Sequence, residues 1–284
     1  MWFVTVDEFK KILPKLYMRG YVLFNITDIY GKDSTGKTVQ KDIYLPLGKK
    51  PLILSQDDVN YYEYMKPDGF ATRLSIDKNG EISTVVKNKN NEEEITRDGD
   101  MVPIVDDFIK EHPDFSFRGA KGTLAVTGYE GVLGYRLESD ENKKMAKMTV
   151  DKLKEDGWTF ASHSYTHNGY GYFQGVQNYT NLKSDFTKWD TEIKPIVGDT
   201  NIFIAPFGAN LEGENINLVT EYGFDIYCNV CRLPETENVG NLIIIPRYNI
   251  DGYSLLYCKD SLNQLFFNAD EVLTPNVRPT LQIE

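Results

Sequence analysis

This chain of 284 residues is poor in cysteine and histidine, short of positive charge and free of long apolar runs. Each scarcity narrows the functions open to it. The three cysteines, Cys228, Cys231 and Cys258, leave any disulfide pairing incomplete. Cys228-x-x-Cys231 has the spacing of a redox pair or of half a zinc site. No second Cys/His pair stands near it, so structural or incidental thiols are the expectation. Lys and Arg number 31 against 42 Asp and Glu, a net charge of −11. That balance repels a polyanion, and no nucleic-acid partner is expected. No stretch approaches the roughly 18 apolar residues that cross a bilayer. Met1-Trp-Phe-Val leads straight into an acidic, helix-like stretch rather than a signal peptide. The chain is therefore expected to be either cytosolic or a mature domain cut from a longer secreted one.

What is present reads as an ordinary globular protein, 41% hydrophobic and 26% charged. The length suits one α/β barrel-sized domain or two smaller ones. Without a linker, repeat or low-complexity segment, a single domain over residues 1–284 is the simpler expectation. Aromatic residues make up 13% of the chain, 18 of them tyrosines. Such rings suit sugar faces, although aromatic cores are commoner.

Apolar periodicity predicts a helix over Val6–Arg19 with Phe9, Ile12, Leu13 and Leu16 on one stripe, and a strand over Tyr21–Ile26. A polar loop (Tyr30–Asp42) precedes a strand at Pro51–Leu54. Asn79-Gly80 and Asp98-Gly99 bracket alternating β-branched stretches, which predicts a β-hairpin excursion at about residues 66–100. Helices follow at Val102–Glu111, Lys143–Glu155, Leu182–Ile196, Ile216–Tyr222 and Ser261–Phe267. Strands are predicted at Thr123–Thr127, before His163, and at Ile202–Ala205, Phe224–Val230 and Leu242–Ile245. This alternation argues for βα units around a parallel sheet or barrel.

The chemistry concentrates at predicted strand ends, where α/β barrels build their sites. Trp158-Thr-Phe-Ala-Ser-His163-Ser-Tyr-Thr-His167 ends an apolar strand in two histidines spaced i, i+4, and two imidazoles so placed can share an ion. They could instead be capping or hydrogen-bonded core residues. The chain's third histidine, His112, stands before Pro113 and reads as a helix terminator. Asp57-Asp58 ends the Pro51 strand. Neighbouring carboxylates can cap a helix over Val59–Met65, or one can ligate metal while the other serves as a base. Pro206-Phe207-Gly208 and Arg247 occupy two more strand ends, the latter readable as a surface ion pair. Together these residues suit metal-assisted hydrolysis.

Ser-Gln-Asp57-Asp58 and Ser162-His163-Ser-Tyr-Thr-His167 resemble the first two motifs of the NodB-homology polysaccharide deacetylases (carbohydrate esterase family 4). The resemblance covers essentially the whole chain apart from the excursion. It implies a distorted (β/α)7 barrel. By the resemblance, Asp57 is the general base, and Asp58, His163 and His167 hold a divalent metal, most often Zn2+. Ile204-Ala-Pro206-Phe207-Gly208 matches the third motif, which assigns the Phe207 amide to the oxyanion and its ring, with Pro206, to the sugar wall. Tyr165 joins the substrate-binding set. Two positions depart from the family. Ile204 replaces the arginine that orients the catalytic aspartate, a part open to Arg247, and no histidine follows His167 as general acid, a part open to Asp251.

The implied activity is removal of N-acetyl or O-acetyl groups from an acetylated glycan, peptidoglycan among them. The implied setting is extracellular or in the cell envelope, with this chain an excised domain. The competing expectations are a glycan-binding barrel that keeps the metal without catalysis, and a hydrolase acting on another amide. Oligomeric state is not readable.

Overall fold

The computed structural model describes residues 1–230 and 236–278. Helix α1 (Val6–Met18) begins at a capping box: the Thr5 hydroxyl accepts from the Glu8 N–H, and the Glu8 carboxylate accepts from the Thr5 N–H. Phe9, Ile12, Leu13 and Leu16 are buried as one stripe, as their spacing predicts. Glu8 is itself fully buried, and its carboxylate also accepts from the Thr274 N–H and both Arg278 terminal nitrogens. The first and last described segments are thereby locked together.

Burial raises the Glu8 carboxyl, but the Arg278 guanidinium and the two backbone donors outweigh it and hold the group below the usual glutamate range. Its stabilising contribution is therefore complete above the unfolded glutamate value of about 4.3. The contribution is lost as pH falls through the lower folded value. Glu8→Gln should cost about 3 kcal/mol at pH 7, the usual scale for breaking a buried ion pair. The deficit should shrink in acid. Urea unfolding at pH 7 and pH 3 checks both, and an equal deficit at the two values contradicts the assignment.

The central sheet has seven strands. In chain order they are β1 (Ser55–Gln56), β2 (Thr123–Val126), β3 (Thr159–Ser162), β4 (Ile202–Ile204), β5 (Ile226–Val230), β6 (Glu237–Val239) and β7 (Leu242–Arg247). Their spatial order is β6-β7-β5-β4-β3-β2-β1. All pairs are parallel except the edge pair β6–β7.

Side chains alternate across the pleat. Ala125, Ala161, Ile202, Ile204, Ile226, Cys228, Ile243 and Ile245 fill the inner face. Leu124, Phe160, Phe203 and Tyr227 face outward into the layer shared with α1 and with helices α2 (Met101–Glu111), α3 (Asp140–Glu155) and α4 (Tyr179–Lys188). Both faces are covered, which explains why these strands read as continuous apolar runs.

The sheet curls. Arg247, ending β7, reaches Ser55 and Asp57 at β1 through bonds of 2.8 to 3.1 Å, although four strands separate β7 from β1 in the ladder. The gap is filled by side chains rather than a continuous ladder: Val22, Phe24, Ile26, Ile29 and Tyr30 pack onto the inner face. Tyr21–Leu23 pairs in parallel with Lys50–Leu52 as a separate two-stranded sheet. The fold is thus mixed α/β around a curled seven-stranded sheet.

Several boundaries differ from the sequence reading. The strand predicted at Pro51–Leu54 is two pieces, Lys50–Leu52 on the small sheet and β1 on the large one. The loop at Tyr30–Asp42 contains a short antiparallel pair, Tyr30–Lys32 with Thr38–Gln40. The excursion is a three-stranded antiparallel sheet (Arg73–Ile76, Ile82–Lys87, Glu93–Thr96), one strand more than a hairpin. Its second turn falls at Asn88–Glu92 rather than at Asp98-Gly99. The Asn88 side chain accepts from the Asn90 and Glu92 N–H groups, just as Asp77 accepts from Asn79 and Glu81 in the first turn. Leu182–Ile196 is α4 continued by a π turn at Trp189–Ile193. Cys228 is buried on β5 and Cys258 is half-buried, both free; Cys231 lies outside the described residues, and with it the C-x-x-C reading.

Candidate metal centre

Three chain segments leave β1, β3 and β4 at their C-terminal ends and turn sharply. Each turn holds non-glycine residues in the left-handed region: Asp58 (φ 57°), Ser164 (φ 62°), His167 (φ 51°) and Phe207 (φ 58°). Aspartate tolerates this conformation; Phe207 is strained in it, at about 1–3 kcal/mol. Four such residues at one mouth mark a site whose backbone is fixed by its surroundings.

The surroundings are identifiable. Asn60 holds the segment after Asp58 against the end of β2, accepting from the Thr127 N–H at 3.0 Å and donating to the Thr127 and Gly131 carbonyls. Asp185, buried on α4, accepts from the Tyr165 N–H (2.7 Å), the Thr166 N–H (2.8 Å) and the Thr166 hydroxyl (2.6 Å). That carboxylate clamps the turn between the two histidines, even though burial raises it above the usual aspartate range. Gly128 must be glycine here, because a Cβ would strike the Tyr165 ring packed on it.

The mouth gathers the predicted ligands. Asp58, His163 and His167 each offer a ligand atom, all within 4.8 Å of one another. His163 is buried, and its Nδ1 lies 2.7 Å from the Ile204 carbonyl. A carbonyl can only accept, so Nδ1 carries a proton, and Nε2 is the nitrogen left to face a metal. Ile204, which stands where the resembled motif carries an arginine, thus orients a histidine through its backbone carbonyl. Burial lowers the His167 proton affinity despite the opposing pull of Asp58, so the ring is neutral at neutral pH. Two imidazoles, one of them fixed by a backbone carbonyl, and a carboxylate fit a divalent metal ion.

Asp57 points to the neighbouring position, its side chain 31% exposed, where Arg247 grips both oxygens at 2.8 and 2.9 Å. Burial opposes its charge, but Arg247, His163 and His167 prevail and hold the carboxyl below the usual aspartate range. Arg247 is a two-pronged clamp reaching across from β7, not a surface pair. The Asp57-Asp58 pair caps no helix: the next turn is a 3-10 segment at Glu63–Asp68.

Pro206 is buried, and the Phe207 ring, 49% exposed, lies 4.6 Å from the His167 ring. Tyr165 lines an adjacent cleft of about 430 Å³ with Tyr62, Tyr64, Tyr129, Thr166, His167 and Asn168. Its hydroxyl is committed to Glu192 at 2.6 Å. Two other residues weighed in the sequence stand elsewhere, His112 as the helix terminator that its place before Pro113 predicts. His112 ends α2 and packs on Tyr17 and Phe108. Asp251 caps the Gly252–Tyr257 helix, accepting from the Ser254 N–H at 2.7 Å, and is not free to act as an acid.

Sequence reasoning missed Asp185, Tyr62, Tyr64 and Tyr129. Asp185 carried no signal, being one acid among many on a helix. The run Tyr61-Tyr62-Glu63-Tyr64 directly after Asp57-Asp58 was a visible one.

No family model matches the chain, and no curated protein matches it by sequence. Among solved structures it is similar to a de-N-acetylase from Aggregatibacter actinomycetemcomitans, with 13% identity over 87% of this chain and 83% of that one, at a TM-score of 0.46. It is also similar to the Streptococcus pyogenes deacetylase PplD in complex with acetate, with 17% identity over 87% and 81% of the two chains and a TM-score of 0.46. A third similarity, to a suspected polysaccharide deacetylase from Mycobacterium smegmatis, has 18% identity, covers 54% of this chain and only 46% of that one, and has a TM-score of 0.36. None of the three reaches 0.5, so site geometry carries the functional reading that follows. No helix among the described residues is long and apolar enough to cross a membrane.

Proposed function

We propose that this protein is a metal-dependent hydrolase that removes N-acetyl, or O-acetyl, groups from a glycan of the cell envelope, peptidoglycan being one candidate. A single observation carries the reading: Asp58, His163 and His167 have ligand atoms within 4.8 Å of one another, beside a second carboxylate held by a half-buried arginine. A zinc-type ion on those three residues would act as a Lewis acid toward the carbonyl oxygen and the attacking water.

The chain's own groups supply the rest. Asp57, kept ionised by the Arg247 clamp, is poised to take the proton of the attacking water. The Phe207 amide is assigned to the developing oxyanion, a contribution of about 3–4 kcal/mol to the barrier for one such donor. Its exposed ring walls one side of the substrate, backed by the buried Pro206. On the other side Tyr64 (65% exposed) and Tyr129 (50% exposed) flank Tyr62, with centroids 5.6 Å from it on each side. Exposed rings beside a polar cleft suit the apolar face of a sugar.

The engagement of Asp251 as a helix cap favours a second reading, a barrel that binds glycan without a general acid and releases no acetate. Acetate assayed with N-acetylated chitooligosaccharides and peptidoglycan fragments separates the two. Release supports the hydrolase; binding with no release from either supports the binding protein. In the hydrolase, Tyr64→Ala with Tyr129→Ala should raise KM for chitotetraose about tenfold and leave kcat within about threefold, the pattern of lost uniform binding. An unchanged KM contradicts the tyrosine wall.

A further inference from the structure

The buried tyrosine between those two rings is bonded to the candidate metal ligand itself. The Tyr62 hydroxyl lies 2.7 Å from Asp58 Oδ1 and 3.0 Å from Thr127 Oγ1, with both Tyr62 and Thr127 buried. The groups themselves set the direction of these bonds. A carboxylate oxygen accepts and a phenol has one proton, so Tyr62 donates to Asp58 and accepts from Thr127, whose hydroxyl lies nearer to it (3.0 Å) than to its other acceptor, the Tyr129 carbonyl (3.4 Å). Thr127 is in turn fixed at both backbone groups by Asn60, so its hydroxyl is a rigid anchor at the end of β2. The result is a directed chain, Thr127 to Tyr62 to Asp58, in which each bond polarises the next.

We propose that Tyr62 is a positioning residue for metal binding, with Thr127 fixing its hydroxyl; the inference rests on the metal site proposed above. Asp58 leaves the strand in a left-handed conformation, and the two histidines are each held by other contacts. Tyr62 is what fixes the carboxylate's rotation. Its bond also occupies a lone pair of Oδ1, which disfavours two-oxygen chelation and so favours a small, four-coordinate ion over calcium-like cations that take bidentate carboxylates.

The test is zinc affinity, measured by competition with a chromophoric chelator, for the wild-type chain, Tyr62→Phe and Thr127→Val. Tyr62→Phe keeps the ring and removes only the donor. Its zinc affinity should fall about 10- to 100-fold, the usual consequence of losing an outer-sphere partner. The metal-free melting temperature should stay unchanged, and excess zinc should restore function to within a few-fold. Thr127→Val should weaken zinc binding in the same direction, by less. Affinity equal to wild type in Tyr62→Phe overturns the proposal. If that variant does not fold, unchanged affinity in Thr127→Val overturns it instead. A wild-type chain that binds no zinc overturns the metal site and this proposal together, whereas tight wild-type binding with indifferent variants overturns this proposal alone.

Discussion

Asp57→Asn is expected to lower acetate release by roughly 10²- to 10⁴-fold, the range that a positioned general base contributes, while leaving bound metal unchanged. The asymmetry follows from geometry. Asp57 and Asp58 are adjacent, but only Asp58 has a ligand atom within 4.8 Å of those of both histidines, and Asp57 is turned into the Arg247 clamp. The neighbouring substitution Asp58→Asn should do the reverse first, losing metal and, with it, activity. Steady-state rates and metal content measured together on both variants check the division of labour. A fully active Asp57→Asn would remove it from the chemistry.

Arg247→Met should lower kcat/KM by about a hundredfold, a loss of near 3 kcal/mol in transition-state stabilisation. Two physical effects combine. The clamp fixes the rotamer of Asp57, and misplacing a catalytic group by about 1 Å can cost that much by itself. Its guanidinium also keeps the carboxylate charged in a part-buried position. Because Arg247 is argued to act only through Asp57, the two substitutions should be strongly non-additive: the double variant should be no slower than Asp57→Asn alone. Additive losses would mean that Arg247 has a separate role, such as contact with substrate. The cost to stability should be modest, about 1–2 kcal/mol, because the Asp57 side chain is 31% exposed and water can screen part of the unpaired charge.

How much of this was legible in the sequence depended on whether the signal was local. Strands β2 to β5 read directly as short apolar runs, and α1 from its apolar stripe. The His163/His167 pair and the adjacent acids were legible because rare, polar residues ended apolar strands. Arg247 was legible as a strand-end residue to which the missing arginine's part was open, but not as the residue that grips Asp57. Its partner is 190 positions away, and what joins them is the curl of the sheet, a tertiary property with no short-range signature. Asp185 and Tyr62 illustrate the same limit: each acts through one or two hydrogen bonds set by packing. The break between Lys50–Leu52 and β1 also escaped, because a continuous apolar run does not say where a strand changes sheets. Asp251 shows the converse, where an expectation based on what the family requires met a side chain already used for a cap.

The central claim is that one acid and two imidazoles at the mouth of the curled sheet hold a divalent ion. The most direct measurement is the metal content of the protein purified without chelator, wild type against His163→Ala, by mass spectrometry of the elements, with circular dichroism confirming that both are folded. About one zinc-type ion per chain in the wild type and essentially none in the variant is the predicted result. Equal metal in the two proteins, or none in the wild type even after incubation with zinc, would contradict it.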